Sequence, residues 1–360
     1  MTVYANKPAF NVREKLKELE KPSGIAGHAM LAADTPQEQF NLIGAGRRNL
    51  LINSGFTVNQ RGADVTNGVT IYGVNNYFTV DHWNEYNNSG VSRKVTVDNN
   101  VLLPNGTRCN SYKSEHISGT ATWLHPVQKL EFENWMHGQT FTVSVWVKTS
   151  IKGFKIRVCD TITCYLIGSE IPNDGEWHYM TASVTLPSSG LTIGSYMQFQ
   201  PAFGTASPNL VAGDYIEFAL MQVELGNVAT PFEYRTYAEE LALCQRYCYV
   251  IGHPSQVIYL GTGSMYTTTA VNLSVPLPVQ FKNTAPSFTA VANGTGNWLN
   301  VYVGATGTVS NATPLAGDYV QGNVRIYIPG AHSGSSPSAV GAGVWSMVLA
   351  GAKLIIDGEV

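Results

Sequence analysis

Charge is the scarcest ingredient of this chain. Asp, Glu, Lys and Arg make up 13% of its 360 residues, against ~25% in an ordinary soluble protein. The 22 basic residues are scattered and the formal net charge is −3. No cationic patch is therefore expected to hold nucleic acid or an anionic membrane. Long apolar runs are missing too: none approaches the ~18 residues of a membrane-spanning helix, so membrane insertion is not expected. The opening stretch MTVYANKPAFNVREKLKELEK has charges where a secretory signal needs its apolar region.

Cysteine is also rare. There are five, an odd number without the close paired spacing of a zinc site, and they are expected to stay as thiols in a reducing cytosol. One pair stands apart: Cys159 and Cys164 flank DTIT, where a hairpin would set them opposite each other.

Chemistry-bearing motifs are absent as well. The eight histidines form no H-x-H, H-E-x-x-H or Cys/His cluster, and there is no D-x-D-x-D-G calcium loop, so neither a metal nor another cofactor is expected. No G-x-S-x-G elbow occurs, and GAGRRN lacks both the Lys-Ser/Thr of a phosphate loop and the third glycine of a dinucleotide fingerprint. Glycan cleavage needs two carboxylates facing each other across the scissile bond. The sequential candidates are Asp81 with Glu85, Glu131 with Glu133, Asp174 with Glu176 and Asp214 with Glu217. Most lie beside Gly or Asn, where turn chemistry explains them. No catalytic residue is assigned, and the chain is expected not to be an enzyme.

What is abundant is Gly, Asn, Ser and Thr between alternating strands. FTVSVWVK at 141–148 puts Phe141, Val143, Val145 and Val147 on one face and Thr142, Ser144, Trp146 and Lys148 on the other, a half-buried strand. GVTIYGV, FKIRVC, CYLIG, WHYMTASVTL, SYMQFQPAF and DYIEFALMQVEL read likewise, separated by PNDGE and PSSG turns. The fold class is all-β: a jelly-roll-like sandwich over residues 49–235 and a second β-rich tip domain over 250–360. Residues 1–48 form a short N-terminal segment with helical signals. One of these is the seam Val12, Leu16 and Leu19; the other runs from a Thr35/Glu38 capping box past Phe40 to Gly44. A single connecting helix over 236–249 opens with a capping box, Thr236 and Glu239, and carries Tyr237, Leu241, Cys244 and Cys248 on one stripe. It reads as a rigid joint. LAGDYV at 315–320 echoes VAGDYI at 211–216, which a shared turn solution explains better than a duplication does.

Two stretches resemble a known family. PSGIAGHAMLAADTPQEQFNLIGAGRRNLLINSGF and AGDYIEFALMQVELGNVATPFEYRTYAEELALCQRYC, with the ending AKLIIDGEV, are similar to segments of tail-fibre and receptor-binding proteins of tailed bacteriophages. The resemblance is specific over 22–62 and 211–249. It implies a homotrimer located in the virion, with a sandwich similar to carbohydrate-binding modules. It also implies a host-surface glycan or protein as receptor, and virion tail or capsid proteins as partners of the N-terminal segment. Attachment would fall to Val12, Leu16, Leu19 and Phe40. A structural virion adaptor or decoration protein is the alternative, and a glycan depolymerase the third reading.

Sugar recognition combines an aromatic face with planar amides or carboxylates. NNYFTVDHWNEYNN at 75–88 offers Trp83 and Tyr86 with Asp81 and Asn84, although a strand with core aromatics explains the same pattern. NGTGNWLNVYVG at 293–304 offers Trp298 and Tyr302 with Asn297 and Asn300, a loop entering a strand. The same aromatics would serve equally at a subunit interface.

Overall fold

The computed structural model describes residue 32 and residues 48–358, apart from 64, 73–76, 88–89, 121–123, 132, 160–163, 190–195, 204–209, 283–285, 304–305, 311, 313, 315–318, 321–322 and 332–342. Both N-terminal helical readings, with Val12, Leu16, Leu19 and Phe40, fall outside the described residues, as does most of the LAGDYV echo.

In chain order the first strands are β1 (Val69–Tyr72), β2 (Tyr77–Val80), β3 (Trp83–Asn87), β4 (Ser92–Leu102), β5 (Arg108–Ser118) and β6 (Leu124–Glu131). There follow β7 (Thr140–Thr149), β8 (Phe154–Cys159), β9 (Cys164–Ile167), β10 (His178–Thr185), β11 (Tyr196–Phe203) and β12 (Tyr215–Leu225). They form two six-stranded sheets, ordered β1-β4-β5-β12-β7-β10 and β2-β3-β6-β11-β8-β9. From β5 onward the chain passes repeatedly from one sheet to the other, the jelly-roll habit that lets both inner faces share one core. All the strand pairings are antiparallel.

Strand β7 shows the period-two rule at work. Phe141, Val143, Val145 and Val147 are buried in the core between the sheets. Thr142 and Ser144, on the face expected to be solvated, are buried as well. The reason is that the chain after β12 crosses this face, and Thr142 Oγ1 donates to the Gly226 carbonyl at 2.7 Å.

At the centre of the core four rings meet. Trp83 lies 5.4 Å from Phe56 and 5.3 Å from Phe218, with Tyr112 5.4 Å from both Phe56 and Phe218. Trp83 is fully buried and its indole N–H donates to the Asn53 carbonyl at 3.0 Å, so it is a packing residue and not a sugar platform. Beside the rings sits a buried ion pair, Arg93 Nη1 to Glu85 Oε2 at 2.6 Å. Tyr112 Oη donates to Glu85 Oε1 at 2.6 Å and Ser114 Oγ to Glu85 Oε2 at 3.2 Å. Burial pushes the Glu85 carboxyl above its ordinary pKa, opposed by the Arg93 charge and these hydrogen bonds. The ion pair and the hydrogen bonds offset part of the desolvation that two interior charges incur.

The helix α1 (Tyr237–Cys244) forms where expected, with the Thr236/Glu239 capping box. Its buried stripe differs from the expectation. Cys244 packs with Ile52, Val58 and Tyr247, but Tyr237 is 58% exposed and Cys248 begins the next strand. Glu240 is buried instead, because its carboxylate accepts from Asn53 N at 2.5 Å and Arg235 Nη1 at 3.0 Å. Polar anchoring thus outweighs the apolar pattern at this helix.

Beyond it lie β13 (Cys248–Gly252), β14 (Ile258–Met265), β15 (Val271–Pro276), β16 (Ser287–Val291) and β17 (Leu299–Val303). They are followed by β18 (Thr306–Ser310), β19 (Tyr319–Val320), β20 (Asn323–Ile328), β21 (Gly343–Val348) and β22 (Lys353–Asp357). A three-stranded sheet, β13-β22-β16, and a seven-stranded sheet, β18-β17-β21-β14-β15-β20-β19, share a second core built mainly of aliphatic side chains. Strands β14 and β15 come so close that a Cβ on Gly263 would sit 1.7 Å from the Asn272 carbonyl oxygen, so only glycine fits there. Residues 60–61 touch this second region directly: Gln60 Nε2 donates to the Cys248 carbonyl at 2.8 Å, and Arg61 pairs with Asp357 at 2.9 Å.

Cysteine departs from the expectation of free thiols. Cys109, Cys244 and Cys248 are free, but Cys159 is disulfide-bonded. Its register partner across the β8–β9 hairpin is Cys164.

Candidate functional site

The outer face of the first sheet carries a groove of 480 Å³, inside the range of about 300–1,000 Å³ typical of small-ligand sites. Its floor comes from adjacent strands. Trp146 on β7 stands opposite Tyr179 on β10 in the register, and their rings lie 5.2 Å apart at 44°. Leu220 on β12 completes the floor at a β-bulge between Ala219 and Gln222. With φ +50° it holds a left-handed conformation that a branched side chain seldom adopts. Bulges of this kind re-aim side chains and cluster at binding surfaces.

One wall is an extended strap, residues 226–236, leading from β12 to α1. Buried polar side chains of β12 pin it. Glu224 accepts from Thr230 N at 2.8 Å and Thr230 Oγ1 at 2.6 Å, and Gln222 Oε1 accepts from Glu233 N at 2.8 Å. Alternate residues then serve opposite sides. Phe232 and Tyr234, 5.0 Å apart and edge to face, line the groove. Glu233 and Arg235 turn the other way: Glu233 accepts from Arg48 N at 2.8 Å and Asn49 N at 2.5 Å, and Arg235 donates to the carbonyls of Leu51, at 2.9 Å, and Asn49.

Among the described residues the groove lining contains no charged side chain; its polar groups are Asn105, Thr107, Ser144 and Thr230 with the Tyr179 and Tyr234 hydroxyls. Burial, and secondarily Cys109, pushes the Tyr234 phenol above its usual pKa, so it stays a neutral hydroxyl. Burial pushes the nearby Cys109 thiol up to about 11, helped by Asp98 and Glu217, which makes it a poor nucleophile at neutral pH. Lys148 is held by Glu217 at 2.7 Å and lies over the Trp177 ring at 4.9 Å. Two aromatic pairs among uncharged hydrogen-bonding groups can stack against the C–H faces of sugar rings and bind their hydroxyls.

The residues expected from sequence lie elsewhere. Asp81 is fully buried and accepts from Gln60 N at 3.1 Å and Gln60 Nε2 at 2.6 Å. Asn84 is buried beside Trp83, so none of the three is available to a ligand. The Tyr86 backbone pairs with His125; its side chain is outside the described part. Trp298 is also buried, its indole N–H donating to the Ala312 carbonyl at 2.8 Å, because the loop before β17 folds its ring into the second core. Asn297 and Asn300 are half-buried, and Asn300 Nδ2 donates to the half-buried Tyr302 hydroxyl at 2.9 Å. These two meet each other, while Trp298 turns into the core. The groove aromatics were missed although one signal existed, Trp146 on the polar face of an alternating strand. Its pairing with Tyr179 depends on a register that no local pattern reveals.

Among the described residues there is no group of three or more His, Cys, Asp and Glu side chains able to hold a metal ion, and no helix is long and apolar enough to cross a membrane.

No family model matches the chain, and no curated protein matches it; the tail-fibre resemblance thus has no family model behind it. Solved structures similar to it include the arabinose-bound MgGH51 α-L-arabinofuranosidase, at 16% identity and TM-score 0.33 over 55% of this chain and 30% of that one. Another is the enzymatically active domain of bacteriophage CBA120 tailspike protein 4, at 14% identity and TM-score 0.29 over 49% of this chain and 21% of that one. A third is the CBM22-1 xylan-binding domain of Paenibacillus barcinonensis Xyn10C, at 12% identity and TM-score 0.27 over 45% of this chain and 95% of that one. The chain therefore spans less than a third of the first two proteins. The expectation that it is not an enzyme is corrected, because an arabinofuranosidase and an active tailspike domain stand among these structures. At such TM-scores none of the likenesses assigns an activity to this chain.

Proposed function

We propose that the groove between the first sheet and the 226–236 strap binds a glycan of a host cell surface, and that the chain is an adsorption protein of a tailed phage. In this reading it is a homotrimer in the virion, and residues 1–48 attach it to tail or capsid proteins. The observation that carries the binding half is the uncharged groove with its two aromatic pairs, Trp146 with Tyr179 and Phe232 with Tyr234. The phage half rests on the sequence resemblance over 22–62 and 211–249.

The test is a titration of the full chain with host-envelope oligosaccharides, followed by tryptophan fluorescence, with released oligosaccharides assayed in the same samples. Trp146→Ala and Tyr179→Ala are each expected to weaken binding about tenfold, the scale of a lost stacking platform. Trp135→Ala, at a ring 49% exposed and outside the groove lining, is expected to leave it unchanged. Free protein should also block phage adsorption. Equal binding by the groove variants would end the groove assignment, and absence of competition would end the adsorption role.

A further inference from the structure

Charge is kept away from the groove between the first sheet and the strap, and the cations nearest its lining are already committed. On the strap side, the Thr230 hydroxyl donates to Glu224 at 2.6 Å and accepts from Arg48 Nη1 at 2.8 Å. On the floor side, Lys148, two residues beyond Trp146 on β7, is held by Glu217 at 2.7 Å. Both cations are thus set against an acid of β12, directly or through one hydroxyl. The field at the groove edge is negative. Cys109 packs on the same apolar cluster as Trp146, Leu220 and Phe232, and after burial the causes that raise its thiol pKa are Asp98 and Glu217. The polar groups of the lining suit hydroxyls. Thr107, Ser144, Tyr179 and Tyr234 each carry an O–H that can donate and accept, and the Asn105 amide can do both. A sugar hydroxyl has the same double character, whereas a carboxylate only accepts.

We propose that the groove selects uncharged sugar units and rejects those bearing a carboxylate. This rests on the glycan reading of the groove and names the class of glycan. An acidic unit seated among Trp146, Tyr179, Phe232 and Tyr234 gives up water around its carboxylate, and among the described residues the lining has no charged donor to replace it. A neutral unit gives up only hydroxyl hydration, which the lining hydroxyls can replace, while its C–H faces cover the rings.

Isothermal titration of the full chain with trisaccharides of galactose and of glucose, of galacturonic and of glucuronic acid, and with the methyl esters of both acids tests it. The ester keeps the ring and removes the charge, which separates charge from shape. Ester is expected to bind at least about tenfold tighter than its acid, and neutral binding should be insensitive to salt. Thr107, half-buried in the β4–β5 turn, lines the groove rim. Thr107→Lys supplies a cation there and should narrow the gap between ester and acid to about threefold or less, with the gain lost in high salt. Thr107→Gln should leave the gap unchanged. Asn105→Lys, at an exposed position of the same turn, replaces Thr107→Lys if circular dichroism shows that variant unfolded. Acid binding as tightly as ester, with Trp146→Ala weakening both, would overturn the selection and leave the glycan reading standing. A gap unchanged in the folded Lys variant would do the same, since shape would then set it. Absence of saturation with every one of these compounds would overturn both.

Discussion

The two β regions reach stability by different means. Between the first two sheets, aromatic rings surround a fully buried Glu85–Arg93 pair, and Asp81, Glu217, Glu224 and Glu240 are buried nearby or at the joint. In the region beyond α1 the core is mostly Val, Leu and Ile, and among the described residues its buried polar side chains are Ser310 and Ser346. Interior charges fix one arrangement of neighbours, since any other leaves an unpaired ion in a low-dielectric setting. An aliphatic core tolerates repacking. The sandwich, which carries the groove, is thus the region whose geometry is most tightly specified.

The sharpest way to break this contrast is Glu85→Ala. It strands Arg93 in the interior and should destabilise the sandwich by about 3–5 kcal/mol, seen in calorimetry as a lowered transition for residues 49–235 alone. Replacing both partners, Glu85→Leu with Arg93→Met, should recover much of that loss. If the double variant is as unstable as the single one, the pair stabilises beyond its own compensation.

In the aliphatic core, Leu273→Ala removes a side chain 1% exposed and should cost about 2–4 kcal/mol through the cavity it leaves. Leu273→Met, which preserves volume, should cost less than about 1.5 kcal/mol. Movement of both transitions by either variant would show that the regions unfold as one unit.

Thr236→Ala removes the capping box at the joint and should cost about 1 kcal/mol. Smallest of all is the effect expected from Cys109. With its pKa at about 11, the thiolate fraction grows only as the pH approaches that value, so modification by a disulfide reagent should be slow at neutral pH and accelerate with alkali. Rapid reaction at pH 7 would show that the burial of this thiol is transient.

Much of the fold was legible in the sequence because alternation is local. FTVSVWVK became β7, DYIEFALMQVEL became β12, and Thr236 with Glu239 opened α1. The site was not legible, since its parts lie far apart along the chain and depend on register and on the strap's path. Aromatic density misled for the same reason. Trp83 and Trp298 sit among Asn and Gly as binding aromatics do, yet each indole finds a backbone carbonyl inside the core, and sequence cannot distinguish such a partner from a sugar hydroxyl. Glu240 was invisible because its acceptor role comes from Asn53, far away in sequence.

The alternation along residues 232–235 makes chain length there matter as much as composition. Deleting a single residue between Thr230 and Phe232 would turn the rings inward and send Glu233 and Arg235 toward the groove. Homologous chains should therefore keep the alternation of ring and charged side chains along this segment and insert or lose residues only in pairs.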